Sequence, residues 1–268
     1  MQFQIDNYEF NTIIIGSGGA GLMAANSAIE NGVKNIAVIS KVFPTSSHTV
    51  AAKGGINAAL GNLDEDDTKW HEFDTIKSAC GLADEDVVEY MCQTAPKIIA
   101  KLENMGVVFS RFENGKIYQR AYGGQSKDFG KGDLAHRACC AKDNTGHTIL
   151  NTLYQKALGN NVKFFNEFFL TDLLIKNQTC FGAVTIDLNA GKIAVFKAKN
   201  TIIATGGASQ IYQNATSSNI CTGDGSAAIL RSGLFLQDME FVQFHPTGLH
   251  EKNILIYPNA LKMPLLFV

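Results

Sequence analysis

Residues 10–40 read FNTIIIGSGGAGLMAANSAIENGVKNIAVIS, and this stretch decides the fold. Phe10–Ile15 is a short, β-branched apolar run, the pattern of a strand buried on both faces. Glycines at 16, 18 and 21 fit G-x-G-x-x-G immediately behind it. Ala20–Asn31 is small and helix-compatible, Gly32 stops it, and Asn35–Ser40 gives a second apolar strand. A βαβ unit with glycines at that turn is built for a dinucleotide. Two glycines let the backbone approach a pyrophosphate at the helix N-terminus, and the third lets the helix pack on the sheet. The expected fold is therefore a Rossmann-like α/β domain. An NAD site of this kind places Asp or Glu at the end of the second strand, to bind the ribose hydroxyls. Here that place holds Ser40 and Lys41, and no acid occurs between Glu30 and Asp64, which counts against a simple NAD dehydrogenase.

Outward from this unit, the 268 residues are 46% hydrophobic and 18% charged, a globular composition that excludes a disordered or collagen-like chain. With 23 Lys+Arg against 25 Asp+Glu, no electrostatic footprint for nucleic acid exists. Only Arg111, Arg120, Arg137 and Arg231 are arginines, so anion binding has to rest on backbone N–H groups, His, Lys or these four. No stretch reaches the ~18–20 consecutive apolar residues of a membrane span. The first eleven residues carry two acids and no Arg, unlike a signal or transit peptide. The six cysteines form no C-x-x-C pair and no zinc-like spacing, so reduced thiols and no metal site are expected.

Further along, residues 43–62 are rich in Gly, Ala, Ser and Thr, as where backbone approaches something closely. Val87, Val88, Met91, Ala95, Ile98, Leu102 and Met105 recur at helical spacing, with Pro96 expected to kink or split that helix. Arg120–Gly132 reads as a glycine-rich loop, and a helix is expected from Asn144–Thr145 through Leu158. Strands are expected over Val162–Ile175, Phe181–Leu188, Ile193–Lys197, Asn200–Thr205 and Leu234–Phe244, with a helix over Asp224–Gly233.

Several blocks, in order, carry a resemblance. Ser47–Ala59 (SHTVAAKGGINAA), Tyr122–Ser126 (YGGQS), Ala204–Gly207 (ATGG), Thr222–Gly225 (TGDG) and Gln243–Gly248 (QFHPTG) make residues 8–248 similar to the flavoprotein subunit of succinate dehydrogenase and its fumarate reductase relatives. The resemblance implies an FAD-binding domain over 1–248, bonded covalently to FAD through His48. Read alone, a His in a Gly/Ala-rich loop is a plain hydrogen-bonding residue. The S-H-T block changes that reading. The pyrophosphate would lie on Gly16, Ser17, Gly18, Gly19, Ala20 and Gly21. Ser40, Lys41, Thr45, Ser47, Thr49, Ala51, Ala52, Lys53, Gly54 and Gly55 would line the isoalloxazine and the ribose. Asp224 would be a further FAD-contacting acid, or a helix N-cap, or both. His245 would contact a small dicarboxylate substrate, where its residue type alone suggests a turn before Pro246.

The family's activity is oxidation of succinate to fumarate, or the reverse. Electrons leave to an iron–sulfur subunit and quinone, and membrane anchor subunits hold the complex on the cytoplasmic face of a bacterial inner membrane or the matrix side of the mitochondrial one. No iron–sulfur ligand pattern lies in this chain, so that relay belongs to a partner. The sequence departs from the family at Ser46 (usually Arg), Lys53 (usually Gln or Glu) and Ser218-Asn219 (usually Ala-His). Residues 249–268 match nothing expected after HPTG. The capping domain, with its proton-exchanging Arg, is expected to be missing and the catalytic set incomplete. The alternative is a non-enzymatic, frameshifted remnant with at most FAD binding.

Overall fold

The strand that opens the chain begins earlier than its apolar run. In the computed structural model, which describes residues 5–243 and the backbone of 248–249 and 254–255, β1 spans Ile5–Ile15. It is followed by α1 (Gly19–Glu30), β2 (Ile36–Ser40), a two-residue β3 (Ile56–Asn57), α2 (Thr68–Ser78) and α3 (Glu85–Asn104). Then come β4 (Gln119–Ser126), β5 (Leu134–Cys139), α4 (Thr145–Gly159), β6 (Lys163–Asn166) and β7 (Phe168–Lys176). β8 (Thr179–Asp187), β9 (Lys192–Ile203) and α5 (Asp224–Arg231) complete the order up to residue 243. The described residues pack as two compact units, one from residues 5–48 and 157–243, the other from 49–156.

The first unit holds a six-stranded sheet in the order β6-β2-β1-β9-β8-β7. β6, β2, β1 and β9 run parallel, while β8 and β7 return antiparallel. Alternation along β1 sends Ile13 and Ile15 to one face and Ile14 to the other, and all three are buried. The Ile14 face packs with Ala25 of α1 and with Ile36 and Val38 of β2. On the other face Phe196, fully buried, collects Tyr8 stacked at 4.8 Å and Phe165 edge-on at 4.7 Å. Such pairs add to the area they bury.

The second unit holds an antiparallel sheet in the order β3-β5-β4 and the helices α2 and α3. Its polar centre is Arg137, with no exposed surface. The guanidinium donates to Asp66 Oδ1 at 2.9 Å, to Asp74 Oδ2 at 2.5 Å and to the Ser126 carbonyl at 2.8 Å. Asp74 also accepts from the Ser126 amide at 2.8 Å and hydroxyl at 2.6 Å. Burial works against its charge, but Ser126 and Arg137 outweigh it and hold the carboxyl below the ordinary 3.8. Beside them His71 is buried with Nδ1 unpartnered. Burial, then the Arg137 charge, push its pKa below 6.5.

Several elements differ from the sequence expectation. α3 runs through Pro96 as one element, and its buried residues are Val88, Cys92, Ile99 and Leu102. Val87 and Met91 lie on the exposed side. The apolar positions outnumber those one face can bury, and Cys92 completes the i, i+4 row that wins. Arg120–Gly132 is not a loop throughout: backbone pairing with β5 makes Gln119–Ser126 a strand, with register shifts at its glycine-bearing centre. The two runs Ile193–Lys197 and Asn200–Thr205 are one continuous strand, because β1 pairs along nearly all of it. Val162–Ile175 divides at Glu167, which sits at φ +64° between β6 and β7. Over Leu234–Gln243 no strand forms, and Phe235 is 99% exposed.

Removing the charge from Arg137 leaves two buried carboxylates unpaired. Arg137→Met is expected to cost about 3–5 kcal/mol in urea unfolding, and wild-type stability would refute the buried triad. Lowered folded-state pKa values mean stability present at neutral pH and lost as acid protonates the unfolded chain first. The expected loss starts below pH 6.5 through His71 and resumes below 3.8 through Asp74. His71→Asn should remove the first stage and keep the second, as read by unfolding midpoints across pH.

Candidate functional site

At the carboxyl end of β1 the backbone is clamped from both sides. Gly16 N–H donates to the Ile39 carbonyl at 2.8 Å, and Ala204 N–H donates to the Ile15 carbonyl at 2.7 Å. Gly16 turns at φ +112°, and a Cβ there would lie 2.1 Å from the Ala204 carbonyl oxygen. A Cβ on Gly21 would lie 1.9 Å from the Gly16 oxygen, so α1 sits directly against the turn. Both contacts are to backbone, which cannot give way. The first glycine of the motif thus makes the tight turn, and the third lets α1 pack against it.

The N-terminus of α1 carries no side-chain cap, and no acid stands in its first turn. Ser17 and Ser40 are both buried, and the Ser17 hydroxyl donates to Ser40 Oγ at 2.8 Å, joining the turn to the end of β2. Lys41 donates to Thr222 Oγ1 at 2.5 Å and pairs with Asp224, which also accepts from the Thr222 hydroxyl. Asp224 is the first residue of α5, and the N-cap is Gly223 at φ +77°. The N-cap reading of Asp224 is therefore corrected: the left-handed turn needs the glycine, and the carboxylate faces Lys41 instead.

Thr45 lies in a 3₁₀ turn, Pro44–Ser46, that leads to Ser47. Ser47 is buried and its Oγ has no partner. His48 is exposed, and its Nδ1 accepts from the Ser218 amide at 3.3 Å. In the second unit the segment Thr49–Gly55 is fastened at three points. Gly146 N–H donates to the Ala52 carbonyl at 2.7 Å, and a Cβ on Gly146 would lie 1.9 Å from the Thr49 oxygen. Tyr122 Oη donates to the Gly54 carbonyl at 3.0 Å. Gly55, at φ +134°, passes so close that a Cβ would lie 2.7 Å from the Cys139 oxygen. Ala51, Ala52 and Lys53 are exposed. His245 lies outside the described residues.

Three participants lay beyond the sequence reading. Thr222 and Tyr122 stand inside quoted blocks, TGDG and YGGQS, but neither was given a role. Ser218 was visible only as a departure from the family pattern, since its contribution is a backbone N–H.

The geometry now has a family to stand beside. A profile described as an FAD binding domain matches residues 11–262. The chain belongs to the FAD binding domain family. Among curated relatives, the mitochondrial succinate dehydrogenase flavoprotein subunit of Oryza sativa subsp. japonica is 52% identical over 255 residues, which is 95% of this chain and 40% of that protein. The succinate dehydrogenase flavoprotein subunit of Rickettsia bellii is also 52% identical, over 96% of this chain and 43% of its own length. Among solved structures, E. coli quinol fumarate reductase FrdA superposes with a TM-score of 0.86 at 37% identity, covering 94% of this chain and 42% of that one. The chain thus spans about two fifths of the length of these relatives.

As a member of the FAD binding domain family, the chain has residues that fit the cofactor. The glycine cradle admits no side chain, and Ser47 presents a buried hydroxyl without a partner. Among the described residues, no helix is long and apolar enough to cross a membrane.

The cradle can be tested without ligand. Gly16→Ala meets both a left-handed φ and a backbone clash, whereas Gly32→Ala, at φ +82° with nothing within 4 Å, meets the first alone. Gly32→Ala is expected to cost about 1 kcal/mol and Gly16→Ala at least about 2 kcal/mol more. Equal thermal midpoints for the two variants would remove the close approach from the argument.

Proposed function

We propose that this chain is the FAD-binding part of a succinate dehydrogenase flavoprotein subunit. The observation that carries the reading is the glycine turn ahead of α1, which backbone contacts forbid any side chain to fill. Its amides would bind the FAD pyrophosphate through residues 16–21, the role that the scarcity of arginine leaves to the backbone. Ser40 and Lys41, held by Ser17 and by the Asp224–Thr222 pair, would bind the adenosine ribose. Asp224 would reach FAD as well as Lys41. Thr45, Ser47, Thr49, Ala51, Ala52, Lys53, Gly54 and Gly55 would line the isoalloxazine. When bound, FAD supplies the two-electron acceptor.

His48 would carry the covalent link. With Nδ1 accepting from Ser218, Nε2 is the nitrogen left for it. His245 would donate to a carboxylate of a small dicarboxylate, succinate in one direction and fumarate in the other. Electrons would pass to an iron–sulfur subunit, with membrane anchor subunits holding the assembly at the membrane. The 52% identity to two succinate dehydrogenase flavoprotein subunits supports that direction and those partners. We place the FAD-binding region at 1–248 and treat 249–268 as a separate segment. The family match takes in residues on both sides of that boundary.

Purified chain run on a denaturing gel is expected to fluoresce as a flavoprotein, and His48→Ser to lose that band while still binding flavin reversibly. Flavin that survives denaturation in His48→Ser, or no flavin on the native chain, would defeat the assignment.

A further inference from the structure

The loop before α5 is tied to itself more heavily than its exposed composition requires. Gln210 N–H donates to the Cys221 carbonyl at 3.0 Å, and Cys221 N–H donates to the Ser218 carbonyl at 3.0 Å. The Gln210 side chain donates through Nε2 to the Ser217 carbonyl at 2.9 Å. Ser209 and Ser217 hydroxyls are hydrogen-bonded to each other. One peptide unit, Ser217–Ser218, therefore has its C=O held by Gln210 while its N–H points at His48 Nδ1. A peptide is planar, with C=O and N–H directed oppositely, so aiming one end aims the other.

We propose that Gln210, with Ser217, is a positioning residue that sets the tautomer and ring orientation of His48. An amide N–H aimed at Nδ1 requires a lone pair there and puts the ring proton on Nε2. Polarisation along Gln210 Nε2–H, Ser217 C=O and Ser218 N–H strengthens the donor that reaches the imidazole. The inference rests on the reading of His48 as the flavin-bearing residue. A His48 bonded at Nε2 is neutral only with its lone pair on Nδ1, the state that Ser218 N–H selects. Nε2 would use its own lone pair in that C–N bond, so its proton would first leave to the water that exposed His48 meets, and one methyl C–H proton would leave as well. The C–H electron pair would reduce the flavin, and dioxygen would take the pair up with two protons to give hydrogen peroxide. The substitution of Ser-Asn for the family's usual Ala-His at 218–219 leaves this device untouched, because the donor is backbone.

The test uses ring-¹⁵N-labelled histidine in the full chain without flavin, with the His48 signal assigned by its absence in His48→Ser. The native spectrum should show Nδ1 unprotonated and Nε2 protonated. Gln210→Met should shift the tautomer ratio about fivefold toward Nδ1–H, the worth of one neutral hydrogen bond, while Ser217→Ala, which keeps the carbonyl, should leave it unchanged. Gln210→Arg, which keeps a donor, should restore it. On reconstitution with FAD, the covalently retained fraction should fall in Gln210→Met while reversible binding holds. An unchanged tautomer in folded Gln210→Met would overturn the proposal, as would a native His48 protonated on Nδ1. Loss of the covalent band in none of the variants, His48→Ser included, would instead refute the flavin link, and the nitrogen spectrum would still decide the role of Gln210.

Discussion

Everything at the candidate site hangs on how closely β1 passes its neighbours where it ends. Gly16 takes its amide bond from Ile39 of β2 and crowds the Ala204 carbonyl beyond β9, while Ala204 bonds back to Ile15. Three parallel strands are thereby brought to a common edge, and in sheets of this kind the crevice beyond the carboxyl ends is where ligands sit. α1 can then begin immediately, because Gly21 lets it rest on the turn. α5 arrives at the same edge by the same device: a Cβ on Gly225 would lie 1.9 Å from Thr205 Oγ1, just past β9. At Gly16 and Gly21 a neighbouring backbone, and at Gly225 the Thr205 side chain, already occupies the space a Cβ would need.

Charge is arranged to match. All four arginines are engaged by acids within their own units: Arg111 with Glu103, Arg120 with Asp143, Arg137 with Asp66 and Asp74, and Arg231 with Asp172. Lys41 is the cation at the first unit's crevice, and Asp224 shares it. An anion there would meet oriented amides more than side-chain charge, which makes the α1 dipole the main electrostatic resource.

Much of this was legible in the sequence, for reasons that are local. The strand–turn–helix–strand order of residues 10–40 is written in adjacent residues, and it matches the structure in element type. The blocks around His48 and Asp224 were legible by resemblance. What escaped was set by distant partners. Gln119–Ser126 is a strand only because β5 pairs with it, and the buried side of α3 is chosen by its surroundings among too many apolar candidates. The Ser218 donor to His48 spans 170 positions and involves no side chain of Ser218, so no pattern of residue types could announce it.

The sheet order has a consequence for how the molecule comes into being. β1 is made first, yet one of its two neighbours, β9, begins at Lys192. Between them the ribosome delivers the whole of the second unit, residues 49–156. β1 and β2 must therefore wait as an incomplete parallel pair with a bare edge while a separate unit folds downstream. Pairings this far apart in sequence are slow and leave sticky edges open meanwhile. The edge at the carboxyl end of β1 is complete only when the late strand inserts.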